Sequence, residues 1–111
     1  MPPRTHLGSE AFKGCISLSH LTMPYLRIIR HGTFTNCSSL RELKLPSSVI
    51  EIGHDAFAKC SSLSLFLPSS IRKIGDSAFA DCRSLELDLA EEVEIGSLAF
   101  EGCRVSPSAA N

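Results

Sequence analysis

An internal repeat with a period close to 22 residues is the feature that most constrains how this chain can fold. Each copy carries a Phe, and a Cys follows it three residues later. These positions are Phe12, Phe34, Phe57, Phe79, Phe100, Cys15, Cys37, Cys60, Cys82 and Cys103. A unit of this length cannot bury an apolar face by itself, so the repeat predicts a solenoid of stacked units. We assign the solenoid to residues 5–105, with tails at 1–4 and 106–111.

An alternating segment after the Cys predicts one short strand per unit. It reads Leu-Lys-Leu-Pro at 43–46 and Leu-Phe-Leu-Pro at 65–68. Alternation of apolar and polar residues is typical of a strand with one buried face, and proline ends the strand because it has no N–H for the ladder. The corner before the strand is one residue longer in the first two units than in the next two. We therefore expect a local change of curvature between these two groups of units.

The segment around each Phe predicts a glycine turn followed by a helical turn. The glycines stand four residues before Phe, at Gly8, Gly53, Gly75 and Gly96. We expect them to adopt positive φ, which glycine tolerates without steric cost. The helix N-caps are interpreted as Ser9, Asp55, Asp76 and Ser97. The predicted fold class is therefore α/β and β-rich, a solenoid of four to five coils with a short parallel sheet and one short helical turn per coil.

The cysteine pattern favours a buried core over disulfides or a metal site. The chain has five Cys, an odd number, and all of them occupy one repeat position. A disulfide framework normally pairs an even set, and zinc sites need closely spaced pairs such as Cys-x-x-Cys. We interpret the thiols as small core residues beside the Phe ladder, and we expect no metal and no cofactor.

Composition and histidine placement argue against several functional classes. The net charge of −1 offers no electrostatic footprint for nucleic acid, and no apolar run is long enough to predict membrane insertion. The histidines are His6, His20, His31 and His54. We interpret them as lying at different repeat positions, so that they form no column. The cysteines lie in the core register, where a reactive thiolate is not expected. The sequence thus predicts no catalytic site and no enzyme.

The repeat resembles the BspA-type leucine-rich repeat. The resemblance rests on Ile52-Gly53, Ala56-Phe57, Cys60 and Leu63, followed by the Leu-Phe-Leu-Pro segment at 65–68. It covers nearly the whole chain. It implies a right-handed solenoid that is used for binding, often adhesive, and that has no catalytic chemistry of its own. It also implies a cell-surface or extracellular location, although the chain shows no signal peptide.

The exposed face of the strands is the candidate binding site. The residues between the inward-facing Leu positions form one predicted column: Thr22, Lys44, Phe66 and Asp88. A second column is His20, Glu42, Ser64 and Glu86. Phe66 is the one Phe outside the repeat register, so it is a candidate contact anchor. The alternative is that Phe66 only covers apolar surface.

Two functions remain open from the sequence. The first is a non-enzymatic protein-interaction or adhesive module that binds a protein partner through the strand face. The second is a scaffold fragment of a longer repeat protein. Neither end shows a polar capping repeat, so we expect such a fragment to self-associate through its uncapped ends, where apolar surface and strand edges are exposed.

Overall fold

A computed structural model describes residues 6–22 and 25–107. The predicted N-terminal tail at 1–4, part of the predicted C-terminal tail at 108–111, and positions 5, 23 and 24 lie outside these residues. The described chain forms ten short strands. They are β1 (His6–Leu7), β2 (His20–Thr22), β3 (Ile28–Ile29), β4 (Glu42–Lys44), β5 (Glu51–Ile52), β6 (Ser64–Leu67), β7 (Lys73–Ile74), β8 (Ser84–Leu87), β9 (Glu94–Ile95) and β10 (Arg104–Pro107).

The strands form three parallel sheets because the same segment of each unit pairs with that of the next unit. One sheet has five strands in the order β1-β3-β5-β7-β9. The second segment forms a two-stranded sheet, β2-β4, and a three-stranded sheet, β10-β8-β6. Neighbouring strands in each sheet come from successive repeats, which is the arrangement of a leucine-rich-repeat-like fold.

The core is a stack of Phe rings bounded by the inward residues of the sheets. Neighbouring rings lie 5.1–6.0 Å apart with interplanar angles of 2–17°. This spacing is close to that between hydrogen-bonded strands, about 4.8 Å, because both are set by the distance between units. Phe34, Phe57 and Phe79 are fully buried, whereas Phe12 and Phe100 are only partly buried. The central units therefore bury their apolar groups more completely than the terminal ones.

The expected helical turn is replaced by consecutive β-turns, and the described residues contain no helix. The N–H of Ala56 donates to the carbonyl of Gly53, and that of Cys60 donates to the carbonyl of Phe57. The N–H of Phe57 donates instead to the carbonyl of Ala78 in the next unit, at 2.7 Å. A helix would use these N–H groups within one segment, but here every second one links two units.

Residues with positive φ flank each Phe and prevent the turns from continuing as a helix. They lie two positions before and two positions after the aromatic residue. These ten residues are Glu10, Gly14, Gly32, Asn36, Asp55, Lys59, Ser77, Asp81, Leu98 and Gly102. A left-handed residue interrupts a right-handed helix, so the segment folds as separate turns of the type that requires positive φ at the third residue.

The prediction of positive φ at the repeated glycines is wrong. Gly53, Gly75 and Gly96 are not among the residues with positive φ. A Cβ on Gly53 would lie 2.6 Å from the backbone nitrogen of His31, and one on Gly75 would lie 2.5 Å from that of His54. Real Cβ atoms do not approach so closely, so glycine is required here because neighbouring units come into close contact.

The thiols of the repeated cysteines connect successive units. Each of the last four donates to the carbonyl oxygen of the Phe in the preceding unit. The bonds are Cys37 to Phe12 at 3.0 Å, Cys60 to Phe34 at 3.0 Å, Cys82 to Phe57 at 3.1 Å and Cys103 to Phe79 at 2.6 Å. A small buried donor therefore satisfies a carbonyl that would otherwise lose its hydrogen bond to water on folding.

Candidate functional site

The cysteine thiols are poor candidates for chemistry because three of the five are buried and the other two are half-buried. All five are free, and Cys37, Cys60 and Cys82 are buried. Burial raises the pKa of the Cys37 thiol to about 11 and also raises the pKa of the Cys103 thiol. A hydrogen bond with the Cys60 thiol, together with burial, raises the pKa of Cys82. A thiol is nucleophilic only as the thiolate, which a raised pKa disfavours.

The histidines do form part of a column, and the prediction that they do not is wrong. His31 and His54 both stand three residues before a Phe, so they share one repeat position. The members of this column are Ser9, His31, His54, Asp76 and Ser97. Asp55, interpreted from the sequence as a member of this position, lies one residue later and has a positive φ of 56°. The shared spacing from Phe was visible in the sequence and could have revealed the column.

Hydrogen bonds run along this column from one unit to the next. The backbone N–H of Asp76 donates to Nδ1 of His54 at 2.8 Å, and that of Ser97 donates to Oδ1 of Asp76 at 2.9 Å. At the other end, Oγ of Ser9 and Nδ1 of His31 lie 3.2 Å apart. The side chains are exposed, and His54 lies 3.9 Å from Oδ2 of Asp76.

Phe66 is an exposed aromatic residue on β6. Its side chain is 45% exposed, whereas Leu65 and Leu67 on either side of it face the core. The pairing of β6 with β8 places Glu86 opposite Phe66 and Ser84 opposite Ser64. The outer face of this sheet therefore carries one aromatic ring among polar side chains.

The predicted neighbour of Phe66 was Asp88, and the observed register differs by two residues. β6 starts four residues after Cys60, but β8 starts only two residues after Cys82. The fourth unit omits the turn that follows Cys60, so its strand begins earlier and Asp88 lies just beyond the end of β8. A shift of two residues leaves the same faces buried, because side chains alternate with a period of two.

The side chains around Phe66 line a shallow depression of about 340 Å³. Its polar lining comes from Ser64, Ser84, Glu86 and Arg104. The hydroxyl oxygens of Ser64 and Ser84 lie 3.0 Å apart across the strands. The sequence reasoning omitted Ser84 and Arg104 because it aligned the wrong residues of the fourth unit. The short distance from Cys82 or Cys103 to the next alternating segment was the signal that could have identified them.

The remaining predicted residues lie on the separate two-stranded sheet. The backbone register pairs His20 with Glu42 and Thr22 with Lys44. Lys44 is exposed, while the side chains of His20, Thr22 and Glu42 lie outside the described part of the structure. β4 and β6 are in contact but belong to different sheets, so the ladder is interrupted between them. The two predicted columns are therefore divided at this point.

Neither a metal-binding cluster nor a membrane-spanning helix is present within residues 6–22 and 25–107. No group of three or more His, Cys, Asp or Glu side chains there could hold a metal ion. In the same residues, no helix has the length and hydropathy needed to cross a bilayer.

Parallel strands from successive 22-residue units, joined by turns around a Phe and Cys ladder, define a leucine-rich repeat protein. The family model described as the BspA type leucine rich repeat region matches residues 5–108 in six copies. The chain belongs to this family. Among curated proteins, none matches the chain.

Two solved structures are similar to the chain. The leucine-rich repeat protein TpLRR from T. pallidum is 34% identical with a TM-score of 0.80. The alignment covers 89% of this chain and 48% of TpLRR. A leucine-rich repeat protein from Bacteroides ovatus ATCC 8483 is 30% identical, also with a TM-score of 0.80. That alignment covers 94% of this chain and 28% of the other.

Proposed function

We propose that the chain is a non-enzymatic module that binds a protein partner through the outer face of β6, β8 and β10. The exposed ring of Phe66 is the observation that carries the proposal. All the remaining Phe residues belong to the ring stack of the core. No packing rule of the repeat therefore accounts for an aromatic residue at this outward position. Leucine-rich repeat domains generally serve protein interactions or a structural role.

The surroundings of Phe66 have the composition of a small recognition site. An aromatic ring supplies a large contact area at a low cost in conformational entropy, and polar side chains around it give directional contacts. Ser64, Ser84, Glu86 and Arg104 supply such groups around this ring. A cell-surface or adhesive role is part of this proposal, and it rests on the resemblance to the family.

The experiment selects binding peptides from a random displayed library and compares their affinities for matched variants. Phe66→Ala should weaken the selected peptides at least about tenfold, as expected for loss of a central aromatic contact. Tyr25→Ala is the control, because Tyr25 is also an exposed aromatic residue but lies outside the depression. Equal affinities for wild type and Phe66→Ala, with both proteins folded by circular dichroism, would refute the proposed site.

Self-association through an end of the solenoid is a second candidate, favoured by one difference in burial. Ile95 on β9 is 48% exposed, whereas Ile74, its partner on β7, is 1% exposed. Leu98 and Val105 in the same terminal unit are also exposed. A second copy stacked on this end would cover these side chains and pair the free edges of β9 and β10.

Sedimentation at increasing protein concentration tests this second candidate. The double variant Ile95→Lys and Leu98→Lys should remain monomeric at concentrations where the wild-type chain associates, because a buried unpaired charge opposes stacking. Ile16→Lys is the control, since Ile16 is exposed at the opposite end of the chain order. A wild-type chain that stays monomeric throughout, or equal association of the double variant, would rule this candidate out.

A further inference from the structure

A polar groove of about 200 Å³ lies beside the five-stranded sheet, and it shares no lining residue with the Phe66 depression. One side is formed by Glu51 and Lys73, which pair across β5 and β7. Another side is formed by His31 and His54 of the column described above. Arg30 also lines it. The groove is thus built from residues of successive units.

Two of the repeated glycines line the groove. Gly53 and Gly75 stand there because a Cβ at either position would contact the backbone of the preceding unit. In the second unit the equivalent position is Arg30, which carries a long cationic side chain in place of hydrogen. The substitution that breaks the glycine pattern therefore places an arginine among the lining residues of the groove.

The charged groups in the groove favour an anion. Arg30 and Lys73 are cationic, and Glu51 is the one acidic residue among the described lining residues. Lys73 also lies 3.7 Å from Glu94, but this exposed ion pair is weak and easily exchanged. Arginine binds carboxylate and phosphate groups through two parallel hydrogen bonds, which a surface lysine does not provide.

The hydrogen bond to His54 determines which donor its ring presents. Because Nδ1 accepts the N–H of Asp76, the neutral ring carries its proton on Nε2. In this tautomer Nε2 is a hydrogen-bond donor and cannot bind a metal ion through a lone pair. This donor suits an oxyanion better than a metal cation.

We propose that this groove binds the oxyanion group, phosphate or carboxylate, of a small ligand. Arg30 supplies the guanidinium, the Nε2–H group of His54 supplies a hydrogen-bond donor, and Lys73 supplies a second positive charge. The volume is equivalent to about six water molecules, which fits one charged group with a short attachment rather than a drug-sized molecule. This site is independent of the proposed protein-binding face.

The test is a titration of the isotope-labelled chain with inorganic phosphate, followed by NMR at constant ionic strength with chloride as the replaced anion. Saturable shifts are expected at the amides of His31, His54 and Lys73. Arg30→Gln should weaken binding about tenfold or more. Arg27→Gln is the matched control, because Arg27 is exposed in the same unit but does not line the groove. Acetate in place of phosphate distinguishes a phosphate site from a carboxylate site.

Two outcomes would overturn the proposal. One is a set of shifts that grow linearly with phosphate and do not saturate, which indicates only nonspecific ion contact. The other is an equal affinity for Arg30→Gln and Arg27→Gln.

Discussion

The five-stranded sheet and the two shorter sheets differ in how regularly their strands are spaced. In the five-stranded sheet the Phe of every unit follows the inward strand position by five residues, as Phe57 follows Ile52 and Phe79 follows Ile74. That sheet is continuous over all its units. In the shorter sheets the distance from Cys to strand falls from five residues after Cys37 to two after Cys82.

The consequence of this difference is a division of the strand face. The corner before β4 is one residue longer than the corner before β6, and the ladder is interrupted between these two strands. β8 then slides by two residues relative to Cys82 while keeping its pairing with β6. A constant distance in sequence from strand to Phe thus produces a regular sheet. A variable distance from Cys to strand produces local surfaces such as the depression around Phe66.

The regular part of the molecule should be the most sensitive to substitution. Phe57→Ala removes a fully buried ring between two stacked neighbours, so we expect it to lower the free energy of unfolding by about 3–5 kcal/mol. Urea unfolding measures the change. The matched control is Phe66→Ala on the strand face, for which we expect a change of less than about 1 kcal/mol because that ring is largely exposed. Similar losses for the two variants would contradict the comparison.

Substitution of a repeated glycine should give the next largest loss of stability. Gly75→Ala places a Cβ about 2.5 Å from the nitrogen of His54, so the two units must separate, and we expect a loss of about 1–3 kcal/mol. Gly8→Ala is the control, since nothing lies within 4 Å of the Cβ there. Thermal unfolding of the two variants should separate them clearly. A neutral Gly75→Ala would mean that close contact does not explain the glycine.

A smaller effect is expected at alkaline pH, through the buried thiols. The pKa of Cys37 rises from 9.0 to about 11 on folding. Because the folded value is the higher one, this thiol contributes stability that is complete below pH 9 and is lost as the pH rises towards 11. The loss is about 1 kcal/mol per pH unit. Urea unfolding as a function of pH measures it, and Cys37→Ser should reduce the slope because a hydroxyl does not ionise there.

The interruption of the strand ladder between β4 and β6 should have the smallest effect, which is a local difference in amide hydrogen exchange. Amide hydrogen exchange should be faster in β4 and β6 than in β5 and β7, because the first pair lacks an inter-strand ladder. Deleting Arg41 gives the second unit the shorter corner of the third, with a stability change within about 1 kcal/mol. Exchange in β6 should then slow as β4 pairs with it. Unchanged exchange in β6 would show that corner length does not cause the interruption.

Residues whose role is repeated within each unit were predictable from the sequence. The spacing of Phe57, Cys60 and the alternating segment at 65–68 predicts stacked units with parallel strands, and the same residues carry the resemblance to the family. The shared position of His31 and His54 was equally visible but was missed, because the histidines were not counted from their Phe residues. The predicted helical turn failed because inter-unit hydrogen bonds use the N–H groups that a helix would need.

The sequence by itself determined the repeat period, the Phe and Cys core register and the alternating strand segments of the first three units, because these depend on residues that are neighbours within one unit. Only the tertiary structure decided why Gly53 must be glycine, which residue lies beside Phe66, and where the strand face is interrupted. Each of these depends on the distance between the backbones of two successive units. Side-chain periodicity carries no information about that distance, since a strand shifted by two residues presents the same alternating pattern.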